Sequence, residues 1–296
     1  MKFTVNRPAF CEALKTVMNV GKSSLLTRIS GIYLYADASK RILELIGTDV
    51  ITSVVKRIRD ADISAGGEIV LPPVVLEILR KTKEESVTIE TDENGALGLS
   101  FGSARYLLVT KPANEFPKSE LVFPTAYVSV SGLLPLLKHA AFAADTKGDK
   151  RELQGVTLRL TPGISTAEAM NQKRMASAVN RNAADGETEM KLHISAVNIL
   201  FSLLSADKTV YAGTADQRAV FVCGDTVFST VMMNRTGPDM SSFVKRLVPE
   251  YCAVAGAKEL LNAIQTAAVC QLPGDDKCVN ICFTPCLLYT SDAADE

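Results

Sequence analysis

Apolar positions near the start of the chain change from strand spacing to helix spacing and back. Phe3-Thr4-Val5 predicts a strand, and Phe10, Leu14, Val17 and Met18 then recur at helical spacing. Three short apolar runs follow, GIYLYAD, RILELIG and ITSVVKRI, separated by turn residues. The pattern predicts one strand, one helix and three antiparallel strands, a unit that we call a βαβββ copy.

The same order of elements returns in residues 67–110. GEIVLP predicts a strand, and PPVVLEILRKT predicts a helix whose prolines suit its first turn. SVTIETD, ALGLSFG and ARYLLVT predict three further strands, and DENG at residues 92–95 is a strong hairpin-turn signal. Residues 1–110 therefore predict two βαβββ copies in succession.

Further copies follow a stretch that contains Pro112, Pro117 and Pro124. YVSVSGLLPLLKHAAFAA opens a third copy, TEMKLHI with SAVNILFSLLS opens a fourth, and CAVAGAKELLNAIQTAAV opens a fifth. The order of elements alone thus indicates an architecture built by repetition.

A longer period underlies the copies. Val254 lies 124 positions after Val130, and Val130 lies 125 positions after Val5. This spacing predicts an α+β chain of tandem domains, each a duplicated βαβββ unit, with two complete domains and the start of a third. Because one helix and one strand cannot bury an apolar face, we expect the C-terminal end to be truncated.

Composition narrows the classes of function. The chain has 47% hydrophobic and 22% charged residues and a net charge of −1, which favours a folded core and excludes a strongly basic DNA-binding domain. The sequence has no signal peptide and no apolar run of about 18 residues, so the expected location is the cytoplasm. The seven cysteines are expected to be thiols there.

The sequence offers no catalytic constellation. VGKSSL at residues 20–25 has Thr16 where a phosphate-binding loop needs glycine, and it follows a predicted helix instead of a strand. His139 and His193 are the two histidines, too few for a histidine-rich metal site or a triad without cysteine or carboxylate partners. The expectation is no enzyme activity of its own and no cofactor.

Cys278, Cys282 and Cys286 are spaced by four and need a separate test. In a strand, such residues lie about 13 Å apart, too far to share one metal ion. A helix would bring them together, but the segment is rich in strand-forming residues and contains Pro285. No metal site is therefore expected.

Several segments together are similar to one known family. MKFTV, LELIGTDVITSVVKRI, GGEIVLP and SARYLL with KPANEFPK span the first domain, and GPDMSSFVKRLVP resembles the segment that joins the second domain to the third. The chain resembles the bacterial DNA polymerase III beta subunit, the sliding clamp. It departs from the family pattern at MNQKRMA in residues 170–176, which keeps the arginine but has methionine in place of leucine.

The resemblance implies that helices line the hole of a closed ring and sheets form its outside. Such a clamp encircles double-stranded DNA without reading its sequence and tethers the replicative polymerase, which makes replication processive. The implied partners are DNA, the polymerase III catalytic subunit, the clamp loader and a second copy in a homodimeric ring, with no membrane. The implied ranges are 1–125 and 126–250 for clamp domains 1 and 2, and 251–285 for the start of domain 3.

The resemblance also implies two sets of site residues. The predicted DNA-binding residues are Lys22, Arg80, Lys81, Lys138, Lys147 and Arg151. The predicted wall of a groove for an apolar partner peptide is Leu153, Met170, Gln172, Lys173, Arg174, Met175, Pro238, Arg246 and Leu247. The rest of that groove would belong to the third domain.

An alternative is a clamp-like interaction protein that binds partners without encircling DNA. Because the third domain is expected to be incomplete, the chain is expected to be a monomer that does not close a ring by itself. Residues 286–296, CLLYTSDAADE, do not continue the expected strand and resemble a sequencing adapter translated in frame. We therefore expect them to be a non-native tail.

Overall fold

The computed structural model describes residues 1–21, 31–59, 61–92, 95–117, 122–181, 184–205, 208–234, 240, 246, 248, 252–269, 279–283 and 288–289. The chain forms two compact units, Met1–Pro238 and Asp239–Glu296. Each unit is considered by itself below.

The first two predicted copies are present. The first comprises β1 (Lys2–Asn6), α1 (Arg7–Gly21), β2 (Ile32–Asp37), β3 (Ile42–Thr48) and β4 (Thr52–Arg59). After the short strand β5 (Asp62–Ala65), the second comprises β6 (Gly67–Leu71), α2 (Val74–Lys81), β7 (Ser86–Thr91), β8 (Leu97–Phe101) and β9 (Ala104–Leu108). The predicted hairpin turn joins β7 to β8, with the Gly95 backbone N–H donating to the carbonyl of Asp92 at 3.2 Å.

The third and fourth copies complete the first compact unit. The third comprises β10 (Val128–Val130), α3 (Leu133–Ala141), β11 (Gly155–Leu160), β12 (Ile164–Met170) and β13 (Met175–Arg181). The fourth comprises β14 (Thr188–His193), α4 (Ile194–Leu203), β15 (Val210–Ala215), β16 (Arg218–Cys223) and β17 (Thr226–Val231). The predicted α+β class and its duplicated copies are confirmed.

Each copy places its first strand in the sheet of its neighbour. β1 pairs with β7 and β6 pairs with β2, while β10 pairs with β15 and β14 pairs with β11, all antiparallel. A strand without its neighbours leaves backbone groups unpaired, so one copy alone could not satisfy its own hydrogen bonds. The exchange explains why the copies occur in pairs.

A continuous sheet joins the first copy to the fourth, with the first strands of the second and third copies at its two edges. Its eight strands run in the order β10-β15-β16-β17-β4-β3-β2-β6, because β4 pairs with β17. Two further sheets have the orders β5-β1-β7-β8-β9 and β13-β12-β11-β14. The predicted domain ranges 1–125 and 126–250 thus meet at a strand-to-strand seam inside one compact unit, and the ranges themselves stay predictions.

The four helices pack side by side against these sheets. α1 contacts α2 and α4, and α4 contacts α3, so the order across the layer is α2-α1-α4-α3. Phe10, Leu14 and Val17 point from α1 into the core with no exposed surface, as the predicted stripe requires. We call α1 to α4 the helix layer.

The second compact unit contains α5 (Ala257–Val269) and a pairing of Cys282–Phe283 with Leu288–Tyr289. The helix confirms part of the predicted fifth copy. The strand predicted before it is wrong, since residues 252–256 form no strand and are exposed. A single strand is not stable without a partner that accepts and donates its backbone hydrogen bonds.

Candidate nucleic-acid interface and peptide-groove wall

Five of the predicted DNA-binding residues are described, and all five are exposed. Arg80 and Lys81 form the last turn of α2, and Lys138 lies on α3. Lys147 and Arg151 lie in the loop between α3 and β11. Lys22 lies outside the described residues. The described five therefore belong to the helix layer or to the loop that follows α3.

Ion pairs distinguish the sheets from the helix layer. Every ion pair between described residues joins strands or the turns between them: Lys2–Glu90, Arg105–Glu90, Lys40–Asp37, Arg57–Glu44, Arg59–Asp225, Arg159–Glu168 and Arg159–Glu189. Within the described part of the chain, none of the five cations of the predicted interface has a carboxylate partner. The helix layer thus keeps its positive charge available, while much of that on the sheets is neutralised.

The loop after α3 is held by its own side chains. The Asp145 carboxylate accepts hydrogen bonds from the backbone N–H groups of Gly148 and Lys147, at 2.8 and 3.1 Å, and these bonds lower its pKa. The side chain of Gln154 donates to the carbonyl of Gly148 at 2.7 Å. Lys147 therefore projects from an ordered turn.

His193 connects this loop to α4. Its Nδ1 accepts from the backbone N–H of Ser195 at 3.2 Å and so caps the helix, while Nε2 lies 3.4 Å from Oε1 of Gln154. Burial lowers the pKa of the imidazole. These contacts favour the neutral tautomer with its proton on Nε2 and give His193 a structural role as a helix cap.

A cleft of about 690 Å³ opens beside this junction. Its lining joins the turn before β4, the segment after α3, the start of α4 and the end of β17. The wall includes Ile51, Arg151, His193, Met232 and Met233. It lies at the seam between the two pairs of copies and contains Arg151 of the predicted DNA-binding set.

The predicted groove wall is centred on the hairpin between β12 and β13. Met170 and Met175 face each other across this ladder and are both half-buried, whereas Gln172, Lys173 and Arg174 in the turn are exposed. The backbone N–H groups of Lys173 and Arg174 both donate to Oδ1 of Asn171 at 2.9 Å. The side chain of Asn171 thus fixes the turn.

Leu153 reaches the same end of this sheet by a different route. It is buried and lies two residues before β11, which runs antiparallel to β12, so the start of β11 lies beside the end of β12. Pro238 and Leu247 lie outside the described residues. Arg246 is exposed and belongs to the second compact unit. The structure therefore brings six of the nine predicted wall residues to one end of one sheet or the turn beside it.

Phe142 was missed by the sequence analysis and lies against this hairpin. It follows the last residue of α3, is 59% exposed, and its ring centroid is 5.6 Å from the Arg174 guanidinium carbon. The signal for its exposure was present in the sequence, since Phe142 lies four residues after the polar Lys138 and so on the same helix face.

Among the described residues, no group of histidine, cysteine and carboxylate side chains is arranged to hold a metal ion. Of the three regularly spaced cysteines, Cys282 is described, exposed and unpaired, and the other two lie outside the described part. None of the described helices has the length and hydropathy of a membrane span.

Residues 1–120 match the family model of the DNA polymerase III beta subunit, N-terminal domain. A beta sliding clamp of Synechococcus elongatus is 26% identical over 251 residues, which are 81% of this chain and 66% of the relative. One from Pseudomonas aeruginosa is 29% identical over 180 residues, or 60% of this chain and 48% of the relative. The chain is therefore similar to beta sliding clamps, and the family match covers its first 120 residues. It spans about half to two thirds of the length of these curated clamps.

Solved clamp structures share the fold. A DNA polymerase sliding clamp from Bacillus subtilis matches with a TM-score of 0.87 at 20% identity, over 97% of this chain and 78% of that chain. A sliding clamp from Pseudomonas aeruginosa bound to griselimycin matches with a TM-score of 0.78 at 22% identity, over 91% of this chain and 74% of that chain. The repeated copies described above are therefore those of the clamp fold.

Proposed function

We propose that the chain serves DNA replication as clamp domains that encircle duplex DNA and tether the replicative polymerase. The observation that carries the proposal is the distribution of charge: the exposed cations of the helix layer and its loop have no described carboxylate partner, whereas those of the sheets commonly do. The match of residues 1–120 to the N-terminal domain of the DNA polymerase III beta subunit supports the same role. The proposed role requires no catalytic group, and the clamp adds processivity to another protein's chemistry.

The proposed DNA contact is electrostatic. Lysine and arginine side chains that meet phosphates bind any sequence, because the phosphate backbone is the same at every base pair. Arg80, Lys81, Lys138, Lys147 and Arg151 are long, exposed side chains of this type. Contacts of this kind exchange easily along the backbone, as a clamp that slides requires.

The proposed ring uses the β9 edge of the sheet β5-β1-β7-β8-β9. Among the described strands, β9 pairs with β8 alone, and Tyr106, Leu107 and Val109 are 42%, 72% and 91% exposed. An apolar, unpaired edge strand is a site for pairing with another chain. A closed ring of clamp domains would cover this edge.

Sedimentation and DNA retention test encirclement together. An assembly that sediments as a closed dimer should stay on circular DNA in raised salt and should leave when the circle is cut. The monomer expected from the sequence should bind circular and linear DNA equally. A closed dimer that is retained equally on both forms would contradict encirclement and would favour the clamp-like interaction protein.

The proposed partner site is the groove wall at the β12–β13 hairpin. Two half-buried methionines offer flexible apolar surface, and Arg174 at the rim offers charged hydrogen-bond donors. One of the similar solved structures is a sliding clamp bound to griselimycin, so griselimycin can serve as a probe for binding at this wall. We propose that polymerase and clamp-loader peptides bind this wall.

Replacement of Met175 tests the wall. Met175→Asp should weaken griselimycin binding at least tenfold, because a carboxylate would have to be desolvated against an apolar ligand. Val179→Asp is the matched control, an exposed apolar residue of the same strand outside the predicted wall. Fluorescence or calorimetric titration measures both, and unchanged affinity in Met175→Asp would show that the groove lies elsewhere.

A further inference from the structure

Arg174 is held in place from two sides. Its backbone N–H donates to Asn171 Oδ1 at 2.9 Å and its carbonyl accepts from the N–H of Asn171 at 2.9 Å, so the turn fixes the start of the side chain. The ring of Phe142 meets the other end, 5.6 Å from the guanidinium carbon. A guanidinium is weakly hydrated and stacks well on an aromatic face.

The position of Phe142 follows from the packing of α3. The helix buries Leu136, Leu137 and Ala140 and contacts β12 and β13, which fixes its end relative to the hairpin turn. Phe142 comes directly after this end, and its backbone N–H donates to the carbonyl of Ala140. Its ring is more than half exposed, so it contributes little to the core and is free to support a neighbouring side chain.

Stacking leaves the edge of the guanidinium open. A guanidinium donates its hydrogen bonds in its own plane, and carboxylates accept two of them side by side. No carboxylate of the described residues forms an ion pair with Arg174, and the exposed Lys173 beside it adds positive charge. The in-plane N–H groups of Arg174 are therefore available to donate hydrogen bonds to an anion.

We propose that Phe142 is a positioning residue that holds Arg174 ready to bind a carboxylate side chain of the partner peptide. This inference rests on the proposed function of the groove wall and deepens it, since the pair would select partner segments that combine apolar residues with an acid. An ordered arginine loses less conformational entropy on binding than a free one does.

The test measures discrimination between two peptides on the full 296-residue chain. The probes are fluorescein-labelled leucine pentapeptides with Asp or Asn at the central position. The chain should bind the Asp peptide more tightly, and Phe142→Leu should reduce that preference by about 2- to 5-fold, the range of an exposed cation–π contact. Phe142→Tyr, which keeps the ring, should restore the preference.

A double-mutant cycle with Arg174→Gln completes the peptide test. Once the guanidinium is absent, Phe142→Leu should have no further effect on the preference for the Asp peptide. The same preference in the parent and in Phe142→Leu would overturn the inference, even where both peptides bind. Failure of both peptides to bind would overturn it as well, and griselimycin titration would then show whether the groove wall itself fails.

A second readout does not depend on any peptide. In an NMR spectrum of the free chain, the Arg174 Nε–H proton should be shifted upfield by the ring current of Phe142. The shift should disappear in Phe142→Leu and remain in Phe142→Tyr. A random-coil position of this proton in the parent, or no change in Phe142→Leu, would overturn the positioning role. Unfolding curves of the variants separate this effect from loss of stability.

Discussion

At the residue scale, His193 couples the stability of α4 to pH. Its Nδ1 caps the helix only when unprotonated, and protonation would also place a positive charge at the positive end of the helix dipole. Burial lowers the folded-state pKa below the ordinary value of 6.5. The unfolded chain therefore binds the proton more readily, and the stabilisation is present above pH 6.5 and is lost as the pH falls through the folded-state pKa.

Replacement of this histidine separates the cap from the titration. His193→Asn keeps a good helix-capping side chain but removes the ionisable group, so its unfolding free energy should change less between pH 7.5 and 5.5 than that of the parent. The difference should be about 0.5–2 kcal/mol, the usual value of a helix cap. Denaturant titration at the two pH values measures it. Identical pH dependence of the two proteins would show that His193 does not titrate in this way.

At the element scale, α1 and β3 approach each other closely at a glycine. A Cβ added to Gly47 would lie 2.1 Å from the backbone carbonyl oxygen of Val17, and a backbone atom in a packed helix cannot move aside easily. Gly47→Ala should therefore destabilise the first compact unit by about 1–3 kcal/mol.

Gly98→Ala is the matched control for this substitution. Gly98 also lies in a strand, but an added Cβ would meet the flexible side chain of Glu90 instead of backbone. Its unfolding free energy should stay within about 1 kcal/mol of the parent. Denaturant unfolding measures both variants, and equal losses would argue that the close approach of α1 is not the cause.

The seam between β4 and β17 depends on paired hydroxyl groups. Thr52 Oγ1 and Thr230 Oγ1 lie 3.0 Å apart and are both buried. Either single replacement by valine should cost about 1–3 kcal/mol, because it leaves a buried hydroxyl without its partner. The double replacement should cost less than the sum of the two. Strict additivity in denaturant unfolding would show that the two hydroxyls do not interact.

The local spacing of apolar residues predicted the helices and strands, but it could not predict which strands of different copies pair with each other. The stripe of Phe10, Leu14 and Val17 is visible in the sequence because neighbours along a helix contact the same surface. The pairing of Thr52 with Thr230 joins strands from separate copies. The spacing of apolar residues along the sequence does not predict which strands of different copies pair. The same limit applies to the site. Met170 and Met175 were predicted as wall residues from the MNQKRMA segment, whereas the contact of Phe142 with Arg174 depends on how α3 packs and was not predicted.

At the scale of the whole molecule, charge is divided between two surfaces. In the described helices α1 to α4, the charged side chains other than histidine are Arg7, Glu12, Lys15, Glu77, Arg80, Lys81 and Lys138. Of these, Arg7 has a structural role, since its side chain donates to the carbonyls of Glu84 and Leu79. The chain has a net charge of −1, but its helix layer is positively charged, whereas its sheets contain the described ion pairs.

The salt dependence of duplex DNA binding tests most directly whether the helix layer is the DNA-binding surface. Each phosphate contact that is removed should reduce the slope of log affinity against log salt by about one. Arg80→Ala with Lys81→Ala should reduce the slope by about two. Lys2→Ala with Arg105→Ala removes the same charge from the sheet face and should leave it unchanged. An equal reduction in both variants, or none in the helix-layer variant, would contradict the account.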